Sequence, residues 1–189
     1  MKKIVFLMML LAGLLLQAAD LLPEPPKGFA WRQMPFIKAS LLMPDDWFFS
    51  FIPDNREERY IYHITRENIE QKGVYVTGMD FRVMRGVPAK TKGRLPSEYS
   101  ASAVGETEKK VKFTKKWEET KGLFKEIGFM YVDSSDEKES ITVYRLYISN
   151  DRTGTVYVLT FEGPTRGWDD LWKSIGEVIF KNLSIDESI

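Results

Sequence analysis

Apolar residues recur along this chain at two periods, two and about three and a half, and the switches between them divide it into strands and helices. Residues 36–43, "FIKASLLM", and 47–52, "WFFSFI", are strand-like and are split by Pro44-Asp45-Asp46. Proline presets the backbone of a turn and aspartate bonds to nearby amides, so the break is a turn. "RYIYHIT" (59–65) and "VYVTGMDFRVM" (74–84) are β-prone and are joined by "RENIEQKG". In the second of these, Tyr75, Thr77, Met79, Phe81 and Val83 alternate onto one face.

After a polar connection with two glycines and two prolines, the pattern turns helical from Pro96 to about Lys112. Tyr99, Ala103, Thr107 and Val111 share a face there, proline suits the first turn, and Gly105 weakens the middle. Strand patterns return at 117–120 with 123–132, at 140–149 and at 155–161; the last two flank "NDRTG", a hairpin-like turn. Residues 168–183 then place Trp168, Leu171, Trp172, Ile175, Val178, Ile179 and Leu183 on one helical face. Gly167 precedes this helix, and Asp169 and Asp170 suit the positive end of its dipole.

Strands joined by short turns make a largely antiparallel sheet. Phe124, Met130 and Val132 lie opposite Leu123, Ile127, Phe129 and Tyr131, so the sheet is apolar on both sides and needs cover on both. The expected class is α+β: an α/β/α sandwich with a central, largely antiparallel sheet covered by helices.

The first residues carry a different pattern. Lys2 and Lys3 precede an apolar run from Ile4 to Leu16, and Gln17-Ala18-Ala19 follows it, which is the layout of a signal peptide over residues 1–19. The run is too short for a membrane span, which needs roughly 20 residues. No cysteine follows it, so a lipoprotein anchor is excluded, and a mature start near Asp20 is expected in the periplasm or outside the cell. Residues 20–35 read as an extended lead-in, because Pro23, Pro25 and Pro26 oppose helix and sheet. Residues 36–189 read as one domain.

Composition narrows the chemistry. Lys and Arg number 27, as do Asp and Glu; without Lys2 and Lys3 the balance is 25 to 27, a net charge of −2. Such a surface gives no reason to seek nucleic acid, whose binding rests on neutralising phosphates. With no cysteine, disulfides and thiolate chemistry are ruled out. Asp45 and Asp46 are consecutive, so their side chains diverge instead of facing one another as an acid/base pair must.

His63 is the only histidine, on a strand face with Ile61 and Thr65, and no nucleophile elbow or His-Glu-x-x-His pair accompanies it. "KKVKFTKKW" (109–117) is basic and aromatic, but Glu106, Glu108, Glu118 and Glu119 cancel its field. "DSSDEKES" (133–140) lacks the spacing of a calcium loop. Gly86 and Gly93 are wrongly spaced for a phosphate loop, with Arg94 in place of its lysine. No catalytic, cofactor or metal residue is assigned from the sequence, and no cofactor is expected.

"FIKASLLMPDDWFFSF" resembles the opening strand, proline turn and aromatic strand of PsbP-like domains, named for an extrinsic subunit of photosystem II. "GTVYVLTFEGPTRGWDDLWKSIGEVIFKNLSI" is similar to their ending, a strand closing in Thr-Phe-Glu, a proline turn and a tryptophan-bearing helix. The resemblance implies an antiparallel sheet between helices, a fold shared with a small nuclear regulator of Ran, in a domain that binds or assists other proteins. The leading expectation is an exported, non-catalytic binding or accessory module whose partner is an envelope or extracellular protein. Leu21, Leu22, Phe29 and Trp31 of the lead-in are the expected adaptable contact. Two alternatives stay open: a small exported hydrolase using His63 with a nearby Ser or Asp, and a carrier of a small apolar ligand between sheet and helix.

Overall fold

The computed structural model describes residues 22–54, 56–135 and 139–188; the expected signal peptide, Asp20 and Leu21 lie outside the described residues. Alternating strands build a seven-stranded antiparallel sheet in the order β3-β4-β5-β9-β8-β7-β6. Its members are β3 (Phe48–Asp54), β4 (Arg59–Thr65), β5 (Gly78–Met84), β6 (Phe113–Lys121), β7 (Phe124–Asp133), β8 (Ile141–Asn150) and β9 (Thr155–Pro164). Two meanders, β3 to β5 and β6 to β9, meet where β5 pairs with β9.

A second, three-stranded sheet consists of β1 (Phe29–Gln33), β2 (Ala39–Pro44) and β10 (Ser184–Ile185), with β2 in the middle. Between strands lie the short helices α1 (Ile69–Lys72) and α2 (Val87–Lys90), the long α3 (Pro96–Glu108), and α4 over residues 168–181, whose middle, Trp172–Gly176, is a π turn.

Between β5 and β6 the chain passes over β9, β8 and β7 to the far edge of the large sheet, and α3 covers one face on the way, packing on those three strands. Glu98 caps its start by accepting from the Leu95 amide at 3.0 Å. The Ser97 amide and hydroxyl both donate to Asp151 at 2.8 Å, pinning the helix to the β8–β9 turn. Pro96, Ser100 and Val104 are its buried line, with Tyr99 and Ala103 alongside. This is one position on from the expected face.

The opposite face carries the main core: Tyr62, Ile64, Met79, Phe81, Leu159 and Phe161 are fully buried beneath α4 and the small sheet. The sheet is therefore covered on both sides, as its two-sided apolar strands require. The α+β sandwich with a central antiparallel sheet is the observed class, with the small sheet sharing α4's layer.

Three local readings change. β1 occupies the end of the lead-in read as unable to join a sheet, pairing Phe29 with Pro44 through Gln33 with Ser40. The three prolines all precede Phe29, so every β1 residue keeps its amide donor. Trp31 donates its indole N–H to the Pro23 carbonyl at 2.6 Å, so the lead-in packs on its own chain. Second, the strands either side of Pro44-Asp45-Asp46 belong to different sheets. The turn closes with Trp47 N donating to Pro44 O at 3.2 Å and hands the chain from one sheet to the other. Third, β5 starts at Gly78 and not at Val74, because the Glu67 carboxylate takes the Val76 and Thr77 amides that a ladder would use, at 3.2 and 3.1 Å.

Asp45 and Asp46 are both exposed. Asn keeps the turn-forming geometry, so replacing both with Asn should move stability by no more than about 0.5 kcal/mol. Thermal or denaturant unfolding checks this; a large loss of stability would mean that their charges hold the turn.

Candidate functional site: a polar row on the open face of the sheet

Because α3 packs on β7 to β9, the same face stays open over β4 and β5. In-register pairing draws one residue from each strand into a line: Ser50 opposite His63, His63 opposite Asp80, Asp80 opposite Thr160, Thr160 opposite Arg145. Paired residues in an antiparallel sheet point to the same side, so this line is a polar stripe. Neighbouring rows add Arg82 beside Val158 and Tyr147, and Gly78 beside Glu162 and Val143.

The groups in the stripe are largely spent on one another. Asp80, buried, accepts from Arg82 Nε at 2.7 Å and Nη2 at 2.9 Å, a bidentate pair. Arg145 Nε donates to the Thr160 hydroxyl at 3.0 Å. The Tyr75 hydroxyl bonds to Glu162, opposing the burial that raises the Glu162 pKa above the usual carboxylate range.

His63 Nδ1 lies 3.7 Å from Asp80 Oδ2, too far for a hydrogen bond, and it is buried without a partner. Burial lowers the His63 pKa, and the Asp80 charge opposes this. The imidazole is therefore held towards its neutral form despite the nearby carboxylate. Serine, histidine and aspartate stand here in the order of a catalytic triad. However, Asp80 is occupied by Arg82, and among the described residues no hydrogen bond joins Ser50 to His63.

A cavity of about 340 Å³ opens over the stripe, lined by Tyr75, Asp80, Arg82, Tyr99, Arg145 and Glu162 among others. A second, of about 400 Å³, is lined by Ile61, Met84, Val156 and Tyr60, and Arg82, Tyr99 and Val158 line both. Polar and apolar halves thus share a wall. On the core-side face, a trough of about 1120 Å³ between β6–β8 and α4 is lined by Trp117, Phe124, Tyr144, Trp172 and Phe180. There Trp117 lies flat on Gly128, where a Cβ would come within 2.3 Å of its ring. Among the described residues, no three His, Asp or Glu side chains gather closely enough to hold a metal ion.

Glu162 gives a pH-dependent prediction. Its folded pKa is raised, so its contribution favours the fold below the ordinary carboxylate pKa and is lost as pH rises through the folded value. Glu162→Gln keeps an acceptor for Tyr75 and removes the charge. The variant is expected to melt higher than the parent at pH 7–8, with the difference shrinking to nothing near pH 4. Melting curves across pH check this; a variant less stable at pH 8 would mean that the carboxylate charge is favourable where it sits.

The sequence reading singled out His63 and missed Tyr75, Asp80, Arg82, Arg145 and Glu162. A usable signal existed. "MDFRVM", "YRLY" and "TFEGP" each set an ionisable residue on one face of an otherwise apolar strand, and such charges are seldom buried without a partner or a task.

No family model matches the chain, and no curated protein does either. The architecture does have counterparts. The fold is similar to that of cyanobacterial PsbP (CyanoP) from Synechocystis sp. PCC 6803. The TM-score is 0.51 at 8% identity, over 84% of this chain and 93% of that one. LpqN of Mycobacterium tuberculosis matches with TM-score 0.50 and 15% identity, over 83% and 90% of the two chains. The Saccharomyces cerevisiae Ran-binding protein Mog1p aligns with TM-score 0.47 and 13% identity, over 83% and 95%. The chain has the PsbP-like fold. At these identities the likeness is one of fold, and function has to come from the site.

Proposed function

We propose that this chain is an exported, non-catalytic binding or accessory module whose partner is an envelope or extracellular protein. The observation that carries the reading is the state of the stripe around His63. Its carboxylate is locked by Arg82, its imidazole Nδ1 has no hydrogen-bond partner, and among the described residues no hydrogen bond joins it to Ser50. General-base catalysis needs a nucleophile, a base and an orienting group joined by hydrogen bonds. Here the same residue types make a polar surface bonded largely to itself. The amino-terminal pattern supports export, and among the described residues no helix is long and apolar enough to cross a membrane. LpqN, which shares the fold, is involved in cell envelope biogenesis.

Affinity capture from native envelope extract, with the chain from Asp20 onward as bait, tests the reading. A specific partner is expected that an unrelated bait of similar charge does not retain. The natively purified protein should also begin near Asp20 by mass spectrometry. An intact Met1, or no specific partner, would contradict the reading. Deletion of residues 20–31 is not a clean probe of the lead-in, since it removes three of the 5 residues of β1.

A further inference from the structure

The pairing in the stripe leaves one cation without a carboxylate among the described residues. Arg145 is half-buried and bonds to the Thr160 hydroxyl and to Tyr147, and among the described residues no carboxylate lies within salt-bridge distance of its guanidinium. Arginine carries five N–H donors in a planar fork and is always charged, so a half-buried guanidinium without a carboxylate leaves donors to be satisfied. The two carboxylates of the cavity do not supply the match. Both Asp80 oxygens are taken by Arg82, and the Glu162 carboxyl bonds to Tyr75 and feels the Arg145 charge only from beyond salt-bridge distance. The Tyr75 and Tyr99 side chains stand on the same wall.

The second cavity begins at Arg82, Tyr99 and Val158 and runs over the apolar Ile61, Met84 and Val156, with the Asp54–Arg59 ion pair also on its lining. Each cavity falls within the roughly 300–1,000 Å³ of ordinary small-molecule sites. An anion-accepting fork at one end and a mainly apolar channel leading away from it describe one kind of occupant.

We propose that the joined cavities bind a small carboxylate with an apolar body, its head on Arg145 beside Arg82 and its tail along Ile61, Met84 and Val158. The carboxylate matches the guanidinium fork bidentately. The tail removes apolar surface from water on both sides, at roughly 25 cal/mol per Å². Val158, between the two arginine-bearing strands, marks the junction of head and tail. This site goes beyond the protein-partner reading and does not depend on it, since each cavity has the size of a small-molecule site.

Calorimetric titration with decanoate, kept below its micelle concentration, tests the proposal, with decanol and acetate as probes for the head and the tail. Saturable one-to-one decanoate binding is expected, with decanol and acetate each at least tenfold weaker. Arg145→Gln should weaken decanoate at least tenfold while the melting temperature holds. If that variant fails to fold, Met84→Glu decides, because a carboxylate in the tail path should abolish decanoate binding. No decanoate binding by the parent, equal binding of decanol, or undiminished binding by the folded variants would overturn the proposal. An envelope partner captured alongside any of these results would leave the binding-module reading standing and remove this one alone.

Discussion

Phe161→Ala is expected to be the most damaging single change among the core residues, costing about 3–5 kcal/mol, as buried phenylalanine truncations do. Phe161 is fully buried on β9, the strand that joins the two meanders. Its ring lies 6.3 Å from Trp47, 5.8 Å from Trp168 and 5.9 Å from Trp172, centroid to centroid. It therefore links the sheet-switching turn to the terminal helix. Truncation would open a cavity walled by three indoles too large to rotate into it, so little relaxation can offset the loss. In a chain of this size the melting temperature should drop on the order of 10 °C. Calorimetry would measure it. A shift of only a degree or two would mean that α4 is not anchored through this ring.

Two glycines give the second prediction, through opposite signs. Gly78 begins β5 in the interior of the large sheet, opposite Thr65. A Cβ there would fall 2.8 Å from the Ile64 carbonyl oxygen and 2.9 Å from Thr65 Cα. Both obstacles are β4 backbone, which cannot rotate away, so Gly78→Ala should cost roughly 1–3 kcal/mol as overpacking changes do. Gly105 sits within α3 with nothing within 4 Å of its Cβ position. Gly105→Ala should gain about 0.5–1 kcal/mol, because glycine loses more backbone freedom in a helix. Denaturant midpoints of the two variants should move in opposite directions. If both moved the same way, the strand pairing at Gly78 or the helical state of Gly105 would be wrong.

The parts of the fold that local pattern governs could be read from the sequence. β4 runs from Arg59 to Thr65 as read, because its alternation is complete and each face has a single destination. β8, β9 and the terminal helix were visible for the same reason. Pairing partners were not. Pro44-Asp45-Asp46 looks the same whether it closes a hairpin or passes the chain between sheets. The choice rests on β10 and β1 flanking β2, and the β10 pairing spans much of the chain. β1 was hidden by the prolines just before it.

The end of α4 shows a different limit. The apolar stripe continues to Leu183, but the helix stops at Lys181, and Ser184 and Ile185 pair with Ser40 and Ala39. Long-range pairing overrides helical periodicity there. The polar stripe lay furthest from view: His63, Asp80, Arg145 and Thr160 come from four strands, and only the register brings them into one row. Each charge could be noticed singly, but that Arg82 locks Asp80 while Arg145 keeps no carboxylate depends on side-chain geometry.

The claim that this site holds a partner and performs no chemistry is tested most directly by turnover itself. The purified chain from Asp20 onward, incubated with broad esterase, peptidase and phosphatase substrates, should show no rate above buffer. His63→Ala should leave that baseline unchanged, because its imidazole makes no hydrogen bond to nucleophile or carboxylate. Robust hydrolysis by the parent, abolished in His63→Ala with the melting temperature intact, would contradict this and restore Ser50, His63 and Asp80 as a working triad.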